Sequence, residues 1–349
     1  MKLFTPRIPL KEKMFFTEHL AVMLKASIPL DRALSTLAEQ STNKKLKKIL
    51  STILETVKSG ETLSKGLSQF QNIFGVLFVH MVQAGEYSGK LEEGLRRLYV
   101  QMKKDYDLKS KVTSALVYPA FVLIAMVGIG SAVMLYVVPK LIPLFDGFHA
   151  QLPIATRILI GASRFFSAHA FSIAIGLTLA GIGIVKLLRG PLKAKWHALL
   201  LRLPLISGMV KKINLARFAR TLSSLLSTDI LVVDALTITA DIMGNEQYKL
   251  ALASVAQQIK KGIPIADALQ KYPRLFPPTV HTMIQVGEES GTLVDLLEEV
   301  ALFYEESVDD TTKSIASIIE PALIILLGAA VGGMALAILM PMYALMNQI

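Results

Sequence analysis

The residues best placed to do chemistry form two related turns, Gly85-Glu86-Tyr87-Ser88-Gly89 and Gly287-Glu288-Glu289-Ser290-Gly291. Each holds a carboxylate and a hydroxyl, but no nucleophile sits beside a recognisable base. The six histidines, His19, His80, His149, His169, His197 and His281, show no paired metal-ligand spacing. There is no P-loop, no glycine-rich dinucleotide loop and no HExxH motif. The absence of cysteine excludes disulfides, thiolate metal sites and thiol catalysis. The residues therefore point to a chain without catalytic activity, cofactor or metal, which draws any energy from a partner.

Two readings of the turns remain. In one they are helix stops and restarts, with a glycine able to take positive φ as C-cap and Ser88 or Ser290 as N-cap of a long helix. In the other, Glu86, Ser88, Glu288, Glu289 and Ser290 are contacts for a partner or for the other module. Glu298 and Glu299, on the acidic helix that follows the second turn, join that second set.

The turns belong to an ungapped repeat with an offset of 202 residues. Phe16 pairs with Phe218, Leu20 with Leu222, Ile28 with Ile230, Ala33-Leu34 with Ala235-Leu236, and Leu67 with Leu269. Met81, Gln83, Gly85, Glu86, Ser88, Gly89 and Leu91 match Met283, Gln285, Gly287, Glu288, Ser290, Gly291 and Leu293. A register held this long implies one fold written twice. Apolar residues recur at helical spacing, as in Leu20, Met23, Leu24 and Leu222, Leu225, Leu226, and the breaks are short. Each copy reads as a bundle of about six helices.

Mean hydropathy is +0.50 and 52% of residues are hydrophobic, while the 18% that are charged cluster outside the apolar stretches. Three segments reach the ~20 residues needed to cross a bilayer. The expected class is all-α and polytopic: a first cytoplasmic helical module at 1–111, a span at 112–138, a short outer loop at 139–164, a span at 165–185, a second cytoplasmic module at 186–314, a span at 315–345, and an outer C-terminus at 346–349. Arg96, Arg97, Lys103, Lys104, Lys109 and Lys111 precede the first span, and Lys186, Arg189, Lys193, Lys195 and Arg202 follow the second. The loop between them holds only Lys140, Arg157 and Arg164, so both modules face the cytoplasm. No cleaved signal peptide is expected, since the first 20 residues lack an apolar core.

The helix after Ser88 has no clear stop before Pro139, giving a rod of about 75 Å that enters the bilayer. Pro119 and Pro321 should bend the two long helices near the membrane surface or transmit movement there. Gly328 and Gly332 form a full GxxxG pair, whereas Gly128/Ala132 and Gly176/Ala180 are weaker versions; packing among the three spans accounts for them, with contact to another copy or a partner helix as the second reading. Glu320, beside Pro321, is a site hypothesis at a span entrance, with capping or pairing to lysine as its structural counterpart. Residues 1–112 hold 19 basic and 11 acidic side chains, against 14 of each in 189–315. The copies thus diverged in charge while keeping a common core, as expected if they face different surfaces. The basic excess is explained by lipid and topology, without nucleic acid.

These residues carry a resemblance. The Lys111-Val112 and Val117-Tyr118-Pro119 run ending at Val138-Pro139, the segment with Phe145, Leu152-Pro153 and Thr156-Arg157, then Trp196, Leu203-Pro204, Gly208, Ala216 to Leu222, and the two GExSGxL turns resemble the type II secretion F-domain family. These are inner-membrane platform proteins of type II secretion and type IV pilus machines. The sequence departs from the family at Lys25-Ala26-Ser27-Ile28 and Ser227-Thr228-Asp229-Ile230, where a glycine usually stands in the inter-helix turn. The resemblance implies a homo-oligomeric adaptor in a bacterial or archaeal-like cytoplasmic membrane. Its partners would be a hexameric secretion ATPase, pilin or pseudopilin subunits and other inner-membrane assembly proteins. A small transporter built from repeats is the alternative, disfavoured by the apolar mid-span residues.

Overall fold

The computed structural model describes residues 8–146, 153–190, 193–201, 203–228 and 230–346. Leu152, Arg202, Asp229 and the tail beyond Met346, for which expectations were stated, lie outside them. The described residues form helices and no strand. In order these are α1 (Leu10–Lys25), α2 (Leu30–Gln40), α3 (Lys44–Lys58), α4 (Leu63–Ser68), α5 (Gln71–Phe74), α6 (Val76–Tyr87), α7 (Leu91–Ala132), a π turn (Val133–Val137), α8 (Val138–Asp146), α9 (Ile154–Arg189), α10 (Lys193–Leu200), α11 (Pro204–Leu226), α12 (Val232–Ile242), α13 (Glu246–Ile259), α14 (Ile265–Gln270), α15 (Pro278–Ser290) and α16 (Leu293–Met346). The chain divides into two compact units: Met1–Ser110 with Ala194–Asp309, and Lys111–Lys193 with Asp310–Ile349. Both copies of the repeat therefore share the first unit up to Ser110 and Asp309, and their apolar ends share the second.

Within the first unit the copies use the same local devices. Asn43 and Asn245 cap α3 and α13: the Asn43 side chain accepts from the amides of Lys45 (3.0 Å) and Leu46 (3.3 Å), and Asn245 from that of Gln247 (2.9 Å). Such caps answer amides that the first turn leaves without a carbonyl. Equivalent apolar side chains are then buried: Phe16 and Phe218, Leu20 and Leu222, Leu34 and Leu236, Leu67 and Leu269. Even the aromatic pairing repeats, with Phe16 against Phe74 at 5.9 Å and Phe218 against Phe276 at 5.2 Å between ring centroids. Each such side chain contributes about 1.5–3 kcal/mol when withdrawn from water. The second copy adds Tyr248, fully buried, whose hydroxyl donates to the Leu275 carbonyl at 2.8 Å; burial pushes its pKa far up.

The second unit is built from the apolar ends of α7 and α16 with α8 and α9. Two helical stretches, Leu91–Pro143 and Leu293–Met340, are long and apolar enough to cross a membrane. The middle expected span, 165–185, lies inside α9, whose 36 residues extend for about 54 Å. Two expectations need correction here. Pro139 does not stop the first long helix: the chain passes through the π turn and remains helical to Asp146. Proline cannot donate to the carbonyl one turn back, and the wider turn ahead of it accommodates that loss without ending the helix. The segment 139–164 is accordingly no loop over most of its length, being helical in α8 and again from Ile154.

Helix α9 is held to its neighbours by two hydroxyls. Ser163 donates to the Met134 carbonyl inside the π turn at 2.7 Å, and Thr156 to the Ala337 carbonyl of α16 at 2.7 Å. Both side chains are buried, beside an apolar cluster of Val138, Leu159 and Ala337. Small hydroxyls of this kind give a helix carbonyl a donor from a neighbouring helix and so link the two.

The α1–α2 connection shows what the missing glycine does. Ser27 adopts φ 59° and is the only non-glycine among the described residues with positive φ. An L side chain there costs on the order of 1 kcal/mol, which glycine avoids. Ser27→Gly should therefore raise stability by about 1 kcal/mol, read as a higher melting temperature of the detergent-solubilised chain; an unchanged or lower value would refute the strain.

Candidate functional site

Each GExSG turn joins two helices of one copy, and four of its positions have separable roles. Gly85 and Gly287 sit in α6 and α15, where a Cβ would stand 3.1 Å from the Cα of Leu91 and 2.8 Å from the Cα of Leu293. Only a hydrogen lets the next helix return so closely. Gly89 and Gly291 make the reversal itself, at φ 70° and 73°. The serines close the helix they follow rather than open the next, which corrects their reading as N-caps. Ser88 donates to the Ala84 carbonyl at 2.9 Å, and Ser290 to that of Val286 at 2.6 Å.

The glutamates point into their own modules. Glu86 accepts from the amides of Leu63 (2.5 Å) and Ser64 (2.9 Å), the first two of α4. Glu288 accepts from those of Ile265 (2.7 Å) and Ala266 (2.9 Å), the first two of α14. A carboxylate at a helix start meets both free N–H groups and the positive end of the helix dipole. Helices of six residues have little stability alone, so this bond ties them to the long hairpin. The cap lies 22 or 23 residues away in sequence, too far for a local capping pattern to reveal.

The other candidates divide by their contacts. Glu298 is exposed yet lies 3.0 Å from Arg220, whose side chain also meets Glu305 at 2.9 Å; Glu305 in turn takes Lys104 of α7 at 2.9 Å. Arg220 and Glu305 are buried, and this network joins the last helix of each copy through α11. Beside it, Arg217 meets Asp105 at 3.1 Å, Gln101 donates to Thr221 at 3.1 Å, and Arg97 donates to Ser227 at 2.8 Å. Glu289 and Glu299 are also exposed, with Glu289 bonded by Gln285 of its own helix.

Sequence reading missed the Arg220 network, although a signal existed. The positions of Arg220, Glu298 and Glu305 hold Glu18, Arg96 and Lys103 in the first copy, so all three charges are reversed together. A concerted reversal marks side chains that face one another.

In the second unit, Pro119 lies inside α7 and Pro321 inside α16, both of which stay helical on either side. Glu320 is exposed. An added Cβ at Gly128, Gly176, Gly328 or Gly332 would meet nothing within 4 Å among the described residues, so packing within the chain does not explain these glycines. The close approach of α16 to α9 occurs instead at Ala337, one helix face away.

Two measurements follow. Glu288→Gln and Glu86→Gln leave one acceptor where two were used and should each cost about 1–2 kcal/mol in thermal unfolding. Glu305→Gln strips the buried one of two carboxylates from a buried arginine and should cost about 3 kcal/mol, more than Glu299→Gln on the exposed face. Equal effects at positions 299 and 305 would contradict the network.

Residues 16–139 and 218–341 each match the family model described as type II secretion system (T2SS), protein F. The matches begin and end at equivalent positions, so each is one copy of the repeat. Among similar proteins is the type IV pilus assembly protein TapC of Aeromonas hydrophila, 34% identical over 331 residues covering 94% of this chain and 80% of the relative. PilC of Thermus thermophilus, also a type IV pilus assembly protein, is 34% identical over 342 residues, covering 97% and 84%. The type II secretion system protein F of Vibrio cholerae is 32% identical over 332 residues, covering 95% and 82%. Two matches in one register, with relatives aligned over nearly the whole chain, place this protein in the type II secretion system protein F family.

Proposed function

We propose that the chain is a non-enzymatic platform in a bacterial cytoplasmic membrane that couples a cytoplasmic secretion ATPase to the assembly of pilin or pseudopilin subunits into a fibre. The observation that carries this reading is that α7 and α16 both begin at a GExSG turn in the polar unit and continue as unbroken helix into apolar stretches long enough to span. The names of the relatives, pilus assembly proteins and a secretion system protein, support it. In this reading three helices cross the bilayer, α9 among them, with the N-terminus inside and the C-terminus outside. Pro119 and Pro321 stand where force would pass from the cytoplasmic unit into the spans. Glu289 and Glu299, being exposed, are better partner contacts than Glu86 and Glu288, whose carboxylates serve α4 and α14.

Affinity purification from membranes in mild detergent, followed by mass spectrometry, tests the coupling. A secretion ATPase and pilin-like subunits should co-purify with the wild-type chain, and Pro119→Ala with Pro321→Ala should keep both partners while losing fibre assembly. A preparation without either partner would sink the adaptor reading; normal fibres from the proline variant would remove those residues from transmission.

A further inference from the structure

The two copies of the repeat meet through different faces. The last helix of the first copy, α7, packs against the first helix of the second, α11. A two-fold relation between copies would also place the last helix of the second copy, α16, on α1 of the first. It does not: Phe303 of α16 is 57% exposed and Val22 of α1 is 61% exposed. The contact is therefore head to tail, and it leaves one head and one tail unused.

Transposing the internal contact by the repeat offset names what those unused faces hold. Arg97 and Ser227, bonded at 2.8 Å, become Glu299 and Lys25. Gln101 and Ser224, bonded at 3.3 Å, become Phe303 and Val22. Lys104 and Glu305, paired at 2.9 Å, become Glu306 and Lys103, an ion pair with its signs exchanged. These six transposed side chains are exposed and their three pairs are complementary, charge to opposite charge or apolar to apolar, whereas Arg217 with Asp105 becomes Phe15 with Ser307, and Gln101 with Thr221 becomes Phe303 with His19. The neighbouring groove between α6 and α12, about 580 Å³, follows the same rule. Tyr87 and Asp234 line it, and their equivalents are Glu289 and Arg32, again exposed and opposite in charge.

We propose that these two faces bind each other between copies of this chain, so that α16 of one protomer docks on α1 of the next as α7 docks on α11 within each. The occupant of both faces is thus a second copy. Four of the six transposed pairs are complementary although the residue type has changed at their positions. A head-to-tail contact uses different patches on the two partners and repeats until it closes. Copies inserted the same way in one bilayer are related by motions that keep its normal, and the repeat becomes a ring where the rotation per copy divides a full turn; that closure rests on the membrane reading, whereas the pairing does not.

The chain's lack of cysteine makes the test direct. Val22→Cys and Phe303→Cys, each a surface position, are carried on separately tagged chains, co-expressed, and treated in membranes with a short bis-maleimide. A product joining the two tags, absent when either variant is expressed alone, is the expected result. Lys25→Glu should weaken self-association of the purified chain in detergent roughly tenfold, and adding Glu299→Lys should restore it. Products joining only like variants would establish a two-fold contact and overturn the proposal. So would the absence of any product, or a Lys25→Glu defect that Glu299→Lys leaves unrepaired. None of these readouts requires an ATPase or pilin, so failure here is separate from failure of the adaptor reading.

Discussion

Everything in the polar unit depends on a carboxylate that reaches back to a short helix. Glu86 and Glu288 each bind the first two amides of a six-residue helix that could not persist alone. With α4 and α14 held, the leucines at 67 and 269 stay in the core and the hairpin leading into α7 or α16 has something to pack on. The GExSG turn is thus a joint in which each residue type answers a separate demand: close approach, remote capping, closure of a helix end and a left-handed reversal. A glutamine would supply one strong acceptor in place of two charged ones, and an alanine at the first glycine would collide with the next helix.

The repeat explains both likeness and difference between the copies. Buried positions kept their residue types because the same core must close twice, as with Phe16 and Phe218 or Leu34 and Leu236. Surface positions were free to change, and they changed in sets. Arg220, Glu298 and Glu305 reverse Glu18, Arg96 and Lys103, and the partners changed with them. Duplication makes every module carry both faces of a contact; divergence then decides which faces meet within the chain and which are left outward.

The apolar unit follows another logic. In a bilayer, burial of apolar surface would give helices no reason to associate, and backbone polar groups would need partners inside the protein. The π turn before Pro139 and the hydroxyls of Ser163 and Thr156 meet that need, each donating to a carbonyl on a different helix. The glycines spaced four apart on α16 face away from such contacts, so their spacing alone says nothing of what they pack against.

The sequence by itself determined the helical class, the duplicated module, the apolar stretches and the family, because these depend on periodicity, on a register held without gaps and on runs of residue type. It also made the turn residues stand out, though not what they do. Tertiary structure alone decided that Glu86 and Glu288 look inward, since their partners lie over twenty residues away and are backbone amides with no side-chain signature. It decided that Ser88 and Ser290 end one helix instead of starting another, that the chain stays helical through Pro139, and that Ser27 takes a glycine's conformation. It also decided which copy's face meets which. Local pattern carries the energy of a helix, but the choice among faces is made by contacts that exist only once the chain has folded.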